Sequence, residues 1–201
     1  KLTLDYIDTC GLPLAAPAAN ISTKPRTTNI DGVIDDFFGV IEGIIDGDIS
    51  EIGLESTVLD LTADSPTILR PGYYTKEMLE EYWEKVVYDP YIKNLEQVPK
   101  SPGQKYKHYA PDAKVTVFVG SVENVSKELY NYSSQSTNKI GIMTFEEDKM
   151  PYEKSEVIYM GSIHNLETMG KYLFTNLRKL DSLGVDEILV FGVEEREYGL
   201  T

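Results

Sequence analysis

Four short strings hold most of the residues able to do chemistry. The first is Pro13-Leu-Ala-Ala-Pro-Ala-Ala-Asn20, followed by Ser22-Thr-Lys-Pro25. Its small residues would let a ligand reach the backbone, and Asn20 and Ser22 offer polar handles. Composition alone favours a tight turn capped by those two side chains. The second is Gly53-Leu-Glu-Ser-Thr-Val58. A Ser-Thr pair opening a strand can present hydroxyls and backbone N–H groups to a small polar ligand or a phosphate. Plain strand and turn propensity accounts for it equally well. The third, Ile68-Leu-Arg-Pro-Gly72, fixes Arg70 between a strand and a Pro-Gly turn. Its planar fork suits a phosphate or a carboxylate, and in an acidic chain a neighbouring carboxylate competes for it. The fourth, Lys105-Tyr-Lys-His-Tyr-Ala-Pro111, is the densest cationic and aromatic cluster. Tyr106 or Tyr109 could stack on a nucleobase, with Lys105, Lys107 and His108 near phosphate. The same string could equally be a solvated linker with its tyrosines packed on the domain beneath. His164 follows a strand end that would face a ligand crevice in a doubly wound sheet, but a surface histidine at a helix start is the simpler reading.

Other machinery is missing. The chain has no Gly-rich loop ending in Gly-Lys-Ser/Thr, no G-x-G-x-x-G and no G-x-S-x-G. One cysteine and two histidines cannot build a metal cluster.

The elements that must position these strings fall into three regions. Residues 1–72 are rich in Gly, Pro, Asp and Ile. Lys1 to Thr9 reads as the middle of an element. Ile30, Val33, Ile34 and Phe37 recur at helical spacing after Thr27-Thr28-Asn29, and Gly39 interrupts that helix. Val40 to Ile45 reads as a strand closed by Asp46-Gly47-Asp48. Ser56–Leu61 and Thr67–Leu69 form a hairpin around Ala63-Asp-Ser-Pro66. Residues 73–112 open with an amphipathic helix capped by Thr75, with Met78, Tyr82 and Val86 on one face and Asp89-Pro90 ending it. Its proline-rich remainder is a linker. Residues 113–201 alternate strands (115–119, 140–145, 157–160, 188–191) with two helices. Ser121 caps the first; the second carries Leu166, Met169, Leu173, Leu177 and Leu180 and stops at Gly184. That alternation implies a parallel sheet.

The 201 residues include 41% hydrophobic and 26% charged side chains, the balance of a globular protein. No apolar run approaches the ~20 residues of a membrane span. The formal net charge is −14, which disfavours stable nucleic-acid binding. The lone Cys10 fits a reducing compartment, so a cytoplasmic location is expected.

In this order and spacing, the four strings resemble the longer members of the YrdC-type threonylcarbamoyl-AMP synthase family. The resemblance implies an α/β fold: part of a YrdC-like twisted-sheet catalytic domain (1–72), a helix and linker folding over its cleft (73–112), and a small Rossmann-like domain (113–201). It also implies that the chain is a fragment. The upstream part of the catalytic domain, including a basic Lys-x-Arg segment that contacts ATP, would be absent, and the fragment alone would be inactive. The family makes threonylcarbamoyl-AMP from L-threonine, bicarbonate and ATP, with Mg²⁺, for modification of tRNA position 37 by a downstream partner enzyme. Carried over by motif, Ala16 and Ser56 would bind threonine. Ala18, Asn20, Arg26, Arg70 and Tyr109 would bind ATP, with Arg70 at phosphate and Tyr109 closing over the nucleotide. Two positions depart from the pattern. Ala18 stands where the family usually has a serine, a loss of about 1 kcal/mol for one hydroxyl donor. Arg26 stands where it often has a small hydroxyl residue. The third region is expected to tether the linker as a lid. A non-catalytic nucleotide- or RNA-binding module is the alternative.

Overall fold

The computed structural model describes residues 2–22, 24–47, 49–92 and 110–194. Helix α1 (Leu2–Cys10) confirms that the opening residues belong to an element, and its side chains are almost all exposed. The string from Pro13 onward is irregular. Helix α2 (Ile30–Phe37) follows it as expected, with the Asn29 side chain accepting from Gly32 N.

Val40–Ile45 is not a strand. Gly39 takes a left-handed φ of 75°, and the amides of Val40 and Ile41 both donate back to Phe37 O. The chain is therefore still closing the helix where the pattern predicts extended backbone. No strand pairs with the rest of the segment among the described residues. Phe38, Val40 and Ile45 remain 85%, 72% and 62% exposed.

The expected hairpin is present. Strands β1 (Val58–Asp60) and β2 (Thr67–Arg70) pair antiparallel. Helix α3 (Lys76–Glu80) begins at Thr75, whose hydroxyl accepts from Met78 N, but it ends well before Val86. Tyr82 is 79% exposed, while Val86 is buried with Ile68 and Leu79. Burying Val86 against Ile68 extends the backbone, and β3 (Val87–Tyr88) joins β2 in parallel instead of prolonging the helix.

A second sheet holds the larger core. Strands β4 (Lys114–Val119), β5 (Ile140–Thr144), β6 (Glu156–Tyr159) and β7 (Glu187–Gly192) are all parallel, in the order β4-β7-β5-β6. The central β5 and β7 are buried throughout, whereas the edge strands are partly exposed. Helices α4 (Val122–Gln135) and α5 (Leu166–Ser182) supply the crossovers, with Ser121 capping α4 and Gly184 at φ 65° ending α5. Buried Glu187 is satisfied by Lys114 Nζ at 2.9 Å, Thr116 Oγ1 at 2.7 Å and Tyr132 OH at 3.0 Å. Among the described residues, no helix is long and apolar enough to cross a membrane.

Helix α5 also packs on the first region. A Cβ on Gly53 would stand 2.0 Å from Lys171 O, so only glycine permits that approach. Thr28 and Thr175 share a hydrogen bond of 2.6 Å between their hydroxyls. Asp36, buried on α2, is chelated by Arg178 of α5.

That hydrogen-bonded pairing holds the Asp36 carboxyl below its ordinary value of 3.8 against the opposing effect of burial, with the Ile21 amide also contributing. A carboxyl whose folded value is depressed stabilises the fold above the unfolded value and loses that contribution as pH falls through the folded one. The melting temperatures of wild type and Asp36→Asn are therefore expected to differ at pH 6 and to converge as pH falls below 3.8. Calorimetry across that range checks it; a gap unchanged down to pH 2 contradicts it.

Candidate functional site

Two of the predicted residues meet directly. Arg70 stands at the end of β2, and Ser56 lies just before β1 on the adjoining strand of the hairpin. The Arg70 guanidinium donates through Nε and Nη2 to Ser56 O, at 3.2 and 2.9 Å, and through Nη2 to Ser56 Oγ, at 2.9 Å. Gly72 makes this closeness possible. A Cβ there would lie 2.4 Å from Thr57 N and 2.5 Å from Glu55 O. The Tyr73 amide then donates to Glu55 O at 2.8 Å.

Arg26 joins them through a residue the strings did not single out. Glu55 is 8% exposed. Its Oε1 pairs with Arg26 Nε, and its Oε2 lies 3.4 Å from Arg70 Nη2. The competing carboxylate expected for Arg70 is thus its neighbour across the hairpin. Three groups sit together with two positive charges and one negative. The locality is cationic inside a chain of net charge −14. Arg26 and Arg70 remain 34% and 18% exposed, so a ligand can still reach them. The signal for Glu55 was in the sequence: an acid sharing a strand opening with Ser56, opposite an arginine.

The first string folds as a closed turn. Asn20 donates Nδ2 to Ile21 O at 2.9 Å and to Lys24 O at 3.2 Å. Thr27 Oγ1 donates to Ala19 O at 2.6 Å, and Lys24 N to Ile21 O at 3.1 Å. Asn20 thus caps the local backbone, as composition favoured, and delivers the chain to Arg26. Ala16 and Ala18 lie exposed in the irregular stretch before it. Tyr109, with Lys105, Tyr106, Lys107 and His108, lies outside the described residues. The end of that segment is anchored: the amides of Asp112 and Ala113 donate to the Asp181 carboxylate of α5 at 2.9 and 3.1 Å.

His164 does reach a crevice. With Ser121, Leu166 and Gly192 it lines a cavity of about 350 Å³ at the carboxyl ends of β4 and β7. Its own amide donates to Ser162 Oγ, the turn geometry of a helix approach.

A resident Mg²⁺ does not fit these residues. Among the described residues, no three His, Cys, Asp or Glu side chains gather to hold an ion, and Glu55 is engaged by two guanidinium groups. Charge on a bound phosphate would fall to Arg70 and Arg26.

Comparison with known proteins points one way. Residues 74–201 match the family model described as threonylcarbamoyl-AMP synthase, C-terminal domain. Residues 1–72 match the one described as telomere recombination. Threonylcarbamoyl-AMP synthase of Pyrococcus abyssi is 40% identical over 205 residues, covering 100% of this chain and 58% of that protein. The Bacillus subtilis enzyme of the same name is 38% identical, covering 99% of this chain and 57% of its own length. The crystal structure of Pyrococcus abyssi Sua5 complexed with L-threonine superposes with a TM-score of 0.84 at 39% identity, over 99% of this chain and 58% of that one. A Pyrococcus abyssi Sua5 with a His-Tyr pair replaced by alanine gives 0.85 at 38% identity, over 100% of this chain and 57% of that one. The chain thus spans a little over half the length of these relatives.

Proposed function

The chain belongs to the threonylcarbamoyl-AMP synthase family, and on that premise we propose that it forms the distal part of an enzyme joining L-threonine, bicarbonate and ATP into threonylcarbamoyl-AMP with release of pyrophosphate. The observation that carries this reading is the Arg26–Glu55–Arg70–Ser56 cluster, a locally cationic patch with a hydroxyl beside it in a strongly acidic chain. In this reading residues 1–72 complete the catalytic domain, 73–112 form the helix and lid, and 113–201 form the Rossmann-like domain that supports both. Apolar side chains left exposed across residues 2–52 would be covered by the remainder of the catalytic domain.

The chemistry asks for placement rather than a protein nucleophile. The amine of threonine adds to CO2 derived from bicarbonate and loses a proton, giving a carbamate. A carbamate oxygen attacks the α-phosphorus of ATP, and the bond to the β-phosphate oxygen breaks, so pyrophosphate leaves with that electron pair. Negative charge gathers on the phosphates as this proceeds. Cationic groups held in place before the reaction stabilise it at little reorganisation cost. Arg70 faces the phosphates, Arg26 supports it from the other side of Glu55, and Ser56 holds threonine, with the Ala16 backbone beside it. Asn20 and Ala18 lie along the nucleotide. Tyr109 closes over it, a role consistent with this chain carrying its one His-Tyr pair at His108-Tyr109. Mg²⁺ would arrive on the nucleotide. The product would pass, in the cytoplasm, to a tRNA-modifying partner.

The test is pyrophosphate release by the full-length enzyme, measured with threonine and bicarbonate supplied together and singly. Release requiring both supports the reading. ATP turnover indifferent to threonine, or tight RNA binding at physiological salt without turnover, replaces it with the nucleotide- or RNA-binding module.

A further inference from the structure

Arg178 lies on α5, in the second of the two packed units, and none of the four strings contains it. Its guanidinium is spent entirely on the first. Nη1 donates to Asp36 Oδ1 at 3.0 Å, Nη2 to Asp36 Oδ2 at 2.7 Å, and Nε to Pro25 O at 2.8 Å. The side chain is 17% exposed and that of Asp36 is 2% exposed. Asp36 Oδ2 also accepts from the Ile21 amide at 3.1 Å. Arg178 therefore grips the 21–25 stretch at both ends, at Pro25 directly and at Ile21 through Asp36. The next residue after Pro25 is Arg26, the partner of Glu55; the residue before Ile21 is Asn20. One turn back on the same face of α5, Thr175 bonds Thr28.

We propose that Arg178 is a positioning residue for the nucleotide site, setting the Asn20–Arg26 loop and hence the place of Arg26 against Glu55 and Arg70. This rests on the reading of that cluster as a nucleotide site. The geometry is more than interdomain glue. A bidentate Arg–carboxylate pair fixes orientation as well as distance, and the third donor lands on the carbonyl adjoining Arg26. The ordinary function of such a contact would be met by any apolar patch. A fork that addresses two ends of one loop constrains where that loop's next residue points.

The test uses the full-length enzyme, with ATP and L-threonine varied separately in the pyrophosphate assay and ATP binding measured by calorimetry. Arg178→Ala is expected to raise both KM and Kd for ATP roughly tenfold, with KM for threonine within twofold. Arg178→Lys keeps the charge but not the fork, so it should fall between wild type and alanine. Thr175→Val weakens the same packing without gripping the loop ends; it should lower Tm while leaving KM for ATP within twofold. A folded Arg178→Ala enzyme with wild-type ATP affinity overturns the proposal. If the alanine variant does not fold, Arg178→Lys decides: a rise in ATP KM and Kd of threefold or more supports it, and no change overturns it. Wild-type protein that binds ATP but releases no pyrophosphate refutes the synthase reading alone, since the same Kd series still decides the role of Arg178. Wild-type protein that binds no ATP overturns both.

Discussion

Replacing Arg70 by alanine in the full-length enzyme is expected to lower kcat/KM for ATP by about 100-fold or more, with little loss of stability. The size follows from charge. Arg26, Arg70 and Glu55 carry one net positive charge together. Removing Arg70 leaves Arg26 and Glu55 as a neutral pair, and nothing then offsets the repulsion of polyphosphate by a chain of net charge −14. The bonds lost in the ligand-free protein are to Ser56 O and Ser56 Oγ, and Ser56 is exposed, so water replaces them at low cost. Activity should therefore fall far more than Tm. Arg70→Lys should sit between, keeping charge and losing the fork. Ser56→Ala should act on threonine instead, raising its KM by roughly tenfold for one lost hydrogen bond of about 1 kcal/mol. Steady-state pyrophosphate release with each substrate varied in turn separates these effects. A fall of less than threefold for Arg70→Ala would show that the guanidinium serves only Glu55 and Ser56.

The contrast between Arg70 and Arg178 shows what a sequence discloses. Arg70 sits in a string whose turn chemistry fixes it locally, and its partner Ser56 lies 14 residues away across one hairpin. Both were legible. Glu55 stood in the same strings but carries no donor, and its burial is a property of the packed hairpin and α5, not of its neighbours in sequence. Arg178 pairs with Asp36 across 142 positions. On α5 it reads only as a polar residue beside the apolar stripe, since nothing local announces the second partner. The same distinction separates the elements. Strands β4 to β7 were found because each meets its partners within one repeating unit of strand and helix. Val40–Ile45 has the composition of a strand, yet composition cannot supply a neighbour, and the turn made by Gly39 and Phe37 O decides its course. Helix α3 was overextended for a related reason: Val86 has helical spacing from Met78 and Tyr82, but Ile68 offers it a better burial.

Gly72→Ala is expected to be the most damaging single methyl group in the first region. The added carbon would meet three backbone atoms, Thr57 N at 2.4 Å, Glu55 O at 2.5 Å and the Ser56 carbonyl carbon at 2.5 Å. Backbone cannot rotate aside as a side chain does, so the segment 55–57 must move by an ångström or so. That shift breaks the Tyr73 N to Glu55 O bond and pulls Glu55 and Ser56 away from Arg70 together. Overpacking of this kind costs about 3 kcal/mol, which is roughly 6–12 °C of Tm in a protein of this size. Gly39→Ala makes the control. Its φ of 75° is unfavourable for alanine, but nothing lies within 4 Å of the new carbon. Only conformational strain of about 1 kcal/mol remains. Thermal melts should therefore separate the two variants by several degrees. At a temperature where both are folded, Gly72→Ala should also lose ATP affinity while Gly39→Ala keeps it. Equal melting temperatures would mean that the hairpin yields at β1, and that Gly72 is not what presses Ser56 and Glu55 onto Arg70.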